Sequence, residues 1–159
     1  MADDPAEFQG VTKPGQAIVA TYVYKDGTRI TISWDTGYYN PNRVLIDTGR
    51  EGATVASLRG VPMEHAKRVL RPYIEKWALR QTVERLGTLP TRLQYREDYY
   101  KVAQAYVLLH SFGSIEPIRR LVEWTGESPD TWSARLRRAK ARGYIVGTGR
   151  TATVGAMKP

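Results

Sequence analysis

The sequence predicts an α+β protein. An N-terminal β-hairpin grows into a small antiparallel sheet, a central kinked helix follows, and a set of short C-terminal helices ends in a second hairpin. Three observations predict it. Two β-branched, aromatic runs flank Asp26-Gly27, apolar residues recur at helical spacing across Pro72, and glycines punctuate residues 113–143. The 159 residues are 42% hydrophobic and 25% charged, an ordinary balance for a chain that buries a core without cross-links.

Residues 1–15 are polar and punctuated by Pro and Gly, and read as a flexible tail. Residues 16–60 read as a β-rich unit. Residues 16–24 (QAIVATYVY) and 28–34 (TRITISW) are strands about an Asp-Gly turn, which needs positive φ at both central residues. Ile30, Ile32 and Trp34 share one face of the second strand. Residues 44–47 (VLID) add a third strand, and residues 53–60 a connector.

Residues 61–89 read as a helical segment. Met63, Ala66, Val69, Leu70, Tyr73, Ile74, Trp77 and Ala78 form its apolar stripe. Pro72 lacks an amide proton and crowds a carbonyl, which predicts a kink or two consecutive helices. Residues 86–93 read as a linker.

Residues 90–157 read as the third unit. Tyr99, Val102, Ala103, Tyr106 and Val107 form one helical stripe that stops at Gly113, and Ile118, Leu121 and Val122 mark a short helix closed by Gly126. Ser128-Pro129 caps a further helix that carries Trp132, Leu136 and Ala139 and stops at Gly143. Residues 144–154 can fold back as a hairpin with Arg150 at its tip.

Charge is the first pointer to function. The net charge is +8, but residues 1–60 carry six basic and seven acidic side chains, whereas residues 131–159 carry seven basic and no acidic ones. A basic stretch of this kind suits a polyanion, and nucleic acid is the commonest. With no cysteine and two separated histidines, His65 and His110, thiolate metal sites, disulfides and histidine-rich metal sites are excluded. No cofactor is expected. No run is long and apolar enough for a membrane span, and the acidic start is no secretory signal, so a cytoplasmic protein is expected.

Residues 117–145 have helix-turn-helix logic: a glycine between two short helices, then a capped basic helix. Trp132, Leu136 and Ala139 would face inward. Pro129, Asp130, Thr131, Ser133, Ala134 and Arg137 would present a reading face to DNA. Arg135, Arg138, Lys140 and Arg142 would flank it as phosphate contacts, with Arg150 on a wing.

Four motifs occur in order: Leu58-Arg59-Gly60-Val61-Pro62; residues 98–106 (DYYKVAQAY); Gly126-Glu127-Ser128-Pro129-Asp130-Thr131; and residues 139–144 (AKARGY). On these, residues 55–146 resemble the small, winged-helix-like helix-turn-helix proteins of actinobacteria and their phages and mobile elements. The resemblance implies DNA binding in transcription regulation. The chain departs from that pattern at three places. Glu127 replaces an apolar residue of the turn, Val122 a small residue, and Trp132 an aliphatic one.

Other readings carry less. Asp-Thr-Gly occurs at 35–37 and 47–49, but without the surroundings of an aspartic protease, and ordinary turns account for it. Gly147 and Gly149 lack the strand–loop–helix context of a nucleotide loop. With no nucleophile–base pair, an enzyme is not expected. The function expected is sequence-specific binding of double-stranded DNA by a transcriptional regulator. The alternative is a protein-interaction module for transcription machinery or phage assembly. Met63, Val69, Leu70, Ile74, Trp77, Leu79, Val83 and Leu86 form too wide an apolar surface for one small sheet to cover; the C-terminal helices can cover the rest, or a homodimer can, and a homodimer is expected. The N-terminal unit is a candidate surface for a protein partner.

Overall fold

The computed structural model describes residues 7–13, 17–48, 52 and 60–156. The fold is α+β. Among these residues lie strands β1 (Glu7–Thr12), β2 (Ala17–Val23), β3 (Arg29–Asp35) and β4 (Arg43–Asp47), then helices α1 (Met63–Leu86), α2 (Arg96–Ser111), α3 (Pro117–Thr125) and α4 (Pro129–Ala141). The short strands β5 (Ile145–Val146) and β6 (Thr153–Val154) flank a 3₁₀ turn at Gly149–Thr151. The chain divides into two units, one ending at Ile74 and the other beginning at Glu75, so each takes part of α1.

The first unit is an antiparallel sheet in the order β1-β2-β3-β4. The β2–β3 hairpin forms where expected, but not as a two-residue turn with positive φ at both Asp26 and Gly27: Asp26 keeps negative φ, and Tyr24 closes a longer loop by donating to Thr28 at 2.9 Å and accepting from Gly27 at 3.0 Å. Gly27 takes φ 86°, and the Asp26 carboxylate accepts the Thr28 amide at 2.8 Å. Register places Ile18 opposite Trp34, Ala20 opposite Ile32 and Tyr22 opposite Ile30. These six side chains share one face and form a core with Ala66, Leu70 and Ile74 of α1. Asp35 works in a turn: it accepts from Asn42 at 2.9 Å and pairs with Arg43 at 3.1 Å, closing the β3–β4 connection.

Two expectations need correction. The N-terminal stretch expected to be a tail contains β1, which pairs with β2 across a bulge between Phe8 and Gly10. Of the kink or two consecutive helices expected at Pro72, the second is overturned: a single helix runs from Met63 to Leu86. Pro72 is exposed, so water can hydrate the carbonyl its ring deprives of a partner, while buried Leu70 and Ile74 anchor the helix on both sides. Much of the apolar surface of residues 61–87 packs within the two units. Met63, Val69, Leu70 and Ile74 join the sheet core, while Trp77, Leu79 and Leu86 pack on the core of the second unit. The connector expected at 53–60 lies outside the described residues except for Gly60.

In the second unit, α2 packs on α3 and α4, and α4 also packs on α3. Its core is built from Ala78, Leu89, Val102, Ala103, Leu109, Leu121, Trp132 and Ala139, closed by Tyr144, Ile145 and Ala152. The stretch expected to be a linker is therefore partly core, since Leu89 is buried. Asp98 starts α2 by accepting the Gln94 and Tyr95 amides, each at 2.9 Å. Those bonds hold its carboxyl below the usual carboxylate range. A buried Glu75 anchors the α2–α3 loop. It accepts the Ser114 hydroxyl and the Ile115 amide, the latter at 2.8 Å, and faces Arg120 at 3.6 Å.

Candidate nucleic-acid interface

The turn between α3 and α4 is built from local chemistry. Gly126 takes the left-handed conformation, φ 74°, and its amide donates to Val122 at 2.8 Å, ending α3 where an L side chain would be strained. Ser128 then caps α4 by accepting the Thr131 amide at 3.1 Å, with Pro129 in the first helical position.

The inner face of α4 is the one the sequence predicts. Trp132 and Ala139 are fully buried and Leu136 nearly so. The bulk of Trp132 is accommodated by a polar tether: its indole N–H donates to Thr125 Oγ1 at 2.9 Å, and that hydroxyl in turn donates to Leu121 at 2.8 Å.

Arg135 is not where it was expected. It is buried, and its guanidinium grips both carboxylate oxygens of Glu127 and donates to the Thr91 carbonyl at 2.6 Å. Its charge is spent inside the fold, so it leaves the phosphate-contact set. The same pair explains the charged residue at the turn. Glu127 at the turn is held by Arg135 of α4.

The remaining candidates divide by exposure. Pro129 and Asp130 are exposed at the front of α4, while Thr131, Ser133 and Ala134 are half-buried. Thr131 is also bound into the cap, its hydroxyl 2.9 Å from that of Ser128. Arg137, Arg138 and Lys140 are exposed and pair with no carboxylate among the described residues. Arg142 is exposed and lies over the Tyr99 ring at 3.9 Å, a cation–π contact that fixes its stem. Arg150 is exposed on the 3₁₀ turn between β5 and β6.

The hairpin is held by backbone. The Gly155 amide donates to Tyr144 at 2.9 Å, and a Cβ on Gly155 would lie 1.9 Å from the Gly143 carbonyl oxygen. Only glycine fits there.

Sequence reasoning missed Glu75, Thr91 and Thr125 as organising residues. Thr91 carries no signal, because it is reached through its backbone carbonyl. Glu75 carried one, a carboxylate beside the apolar stripe of α1. Among the described residues no cluster of His, Asp and Glu could hold a metal ion, and no helix is long and apolar enough to cross a membrane. No protein family, curated protein or solved structure matches the chain.

Proposed function

We propose that this protein binds double-stranded DNA sequence-specifically as a transcriptional regulator. On this reading α3, the Gly126 turn and α4 act as a helix-turn-helix, with β5–β6 as its wing. One observation carries the proposal: the sorting of arginines. Those on and beneath α3 are neutralised, Arg119 by Glu116 and Glu123, Arg120 by Glu75 and Glu123, and Arg135 by Glu127. On the outer face of α4, Arg137, Arg138 and Lys140 have no such partner among the described residues. A rigid helix whose back is core and whose front holds uncompensated cations suits the major groove. Asp130 at the front of that face would accept from a cytosine amino group and disfavour other bases.

The test is fluorescence anisotropy with a random pool of labelled duplexes across a salt series. Each neutralised phosphate steepens the log–log salt slope by about 0.9, so three or four contacts give roughly −3 to −4. Absence of binding at low salt would overturn the reading and favour a protein partner. A homodimer on a pseudo-palindromic site belongs to the same proposal. Sedimentation with and without duplex tests it.

A further inference from the structure

The sheet of the first unit has two edges, β1 and β4. A sheet edge carries backbone amides and carbonyls with no neighbouring strand to bond, and folds commonly protect such edges with bulges or with charge. β1 is protected in this way, by the bulge between Phe8 and Gly10. β4 has no bulge. Its pairing with β3 is regular from Arg43 to Asp47, and no strand among the described residues lies on its outer side.

Register fixes which groups point outward. The Ser33 carbonyl accepts the Asn42 amide at 3.0 Å, so Ser33, Thr31 and Arg29 turn their backbones toward β4. Their partners Arg43, Leu45 and Asp47 turn theirs toward β3, because antiparallel pairs alternate. The amides and carbonyls of Val44 and Ile46 therefore face out from the edge. Apolar side chains accompany them: Leu45 is 65% exposed and Val44 42%.

The sequence of β4, Arg-Val-Leu-Ile-Asp, complements its own reverse. Laid antiparallel on a second copy with Leu45 on the two-fold axis, Arg43 faces the partner's Asp47 at each end. Val44 faces the partner's Ile46, and both have outward backbones, so each such pair exchanges its hydrogen bonds. A shift of one residue would set outward groups against inward ones, and a shift of two would separate the charges. Arg43 already pairs with Asp35 at 3.1 Å, but its side chain is 73% exposed and a guanidinium has five donors, enough for two carboxylates. The charges on this edge thus favour one register of self-pairing instead of repelling a second strand.

We propose that β4 is a dimer interface, with two copies pairing β4 to β4 about Leu45 and joining their sheets edge to edge. The interface rests on the homodimer part of the functional reading and not on DNA binding, and its test contains no DNA.

The experiment follows the full chain by sedimentation equilibrium and by amide hydrogen exchange. A five-residue pairing is a small contact, so the expected dissociation constant is on the order of 10–100 μM. Above that concentration, exchange at Val44 and Ile46 should slow roughly three- to ten-fold, and exchange at Leu45, whose amide faces β3, should change less. Arg43→Asp or Asp47→Arg sets like charges face to face at both ends and should weaken association roughly ten-fold or more. An equimolar mixture of the two variants restores opposite charges at both ends, and should associate within about three-fold of the parent. A parent that stays monomeric at millimolar concentration would overturn the interface and the homodimer together, and would leave the edge to a strand of another protein. A parent dimer whose Val44 and Ile46 exchange ignores concentration would overturn this interface alone; that readout uses no variant, so it stands even where a substitution disturbs the fold. Single variants that associate like the parent, or a mixture no tighter than either variant alone, would overturn the register.

Discussion

Glu127, in the turn after α3, holds Arg135, two turns into α4, by both terminal guanidinium nitrogens, and the same arginine reaches the Thr91 carbonyl at 2.6 Å. This ion pair ties the turn after α3 to α4. Its arginine is 9% exposed and its carboxylate 27%, so water screens it only in part. Glu127→Ala should therefore cost about 2–3 kcal/mol in urea denaturation, because it leaves a buried charge without its counter-ion. The joint replacement Glu127→Leu with Arg135→Met should recover most of that loss. Equal stability of the single variant and the parent would show that the pair contributes nothing.

Two arginines on neighbouring faces should behave differently in DNA binding. Arg137 lies one turn beyond Ser133 on the exposed face, so Arg137→Ala should cost about 1–3 kcal/mol and relax preference at one base pair. Arg142→Ala should weaken all sequences alike and reduce the salt slope by about 1. It should also lower stability by about 0.5–1 kcal/mol through the lost Tyr99 contact. Competition against a randomised site library separates the two effects. Uniform loss from both variants would remove the base-reading role of Arg137.

Gly155→Ala should loosen the terminal hairpin. The added methyl group meets the Gly143 carbonyl at a distance no atom pair tolerates, so backbone must shift and the Gly155–Tyr144 hydrogen bond weakens. The expected loss is about 1–3 kcal/mol, with faster amide exchange at Val146 and Gly155. Unchanged exchange at both amides would mean that the hairpin does not depend on this contact.

Stability should fall with acid in a window set by His110. Burial holds its pKa below the usual 6.5, outweighing the Ser114 backbone and the Glu75 charge, which act in the opposite direction. The unfolded chain therefore takes up this proton first. The contribution is complete above pH 6.5, is lost as pH falls below that value, and stops changing beneath the depressed folded value. Urea unfolding at successive pH values should show this step in the parent and not in His110→Phe. A second step at lower pH belongs to Asp98, whose carboxyl is held below 3.8 by the Tyr95 and Gln94 amides. A parent profile flat between neutrality and the carboxylate range would refute the assignment to His110.

Local rules reached much of the architecture. Asp26-Gly27 located the first hairpin, and the Gly126, Ser128 and Pro129 sequence located the α3–α4 turn, because each acts through its own backbone. What escaped was non-local. β1 has weak alternation and a glycine at its bulge, and only its pairing with β2 makes it a strand. Arg135 looked like any basic residue on a basic helix, since one of its partners, Thr91, lies 44 residues away. At Pro72 the helix continues rather than breaking, with flanking Leu70 and Ile74 committed to a core.

The division of α1 between two units bears on how such a chain can be inherited. Most modules end in loops, where recombination can cut without disturbing a core. Here the seam falls inside a helix, between Ile74 and Glu75, two neighbours that belong to different cores or loop anchors. A crossover in the loop after α1 would deliver the C-terminal helices without Glu75, and so without the carboxylate that binds Ser114 and Ile115. Shuffling of this unit onto other sheets would have to carry the latter part of a helix along with it.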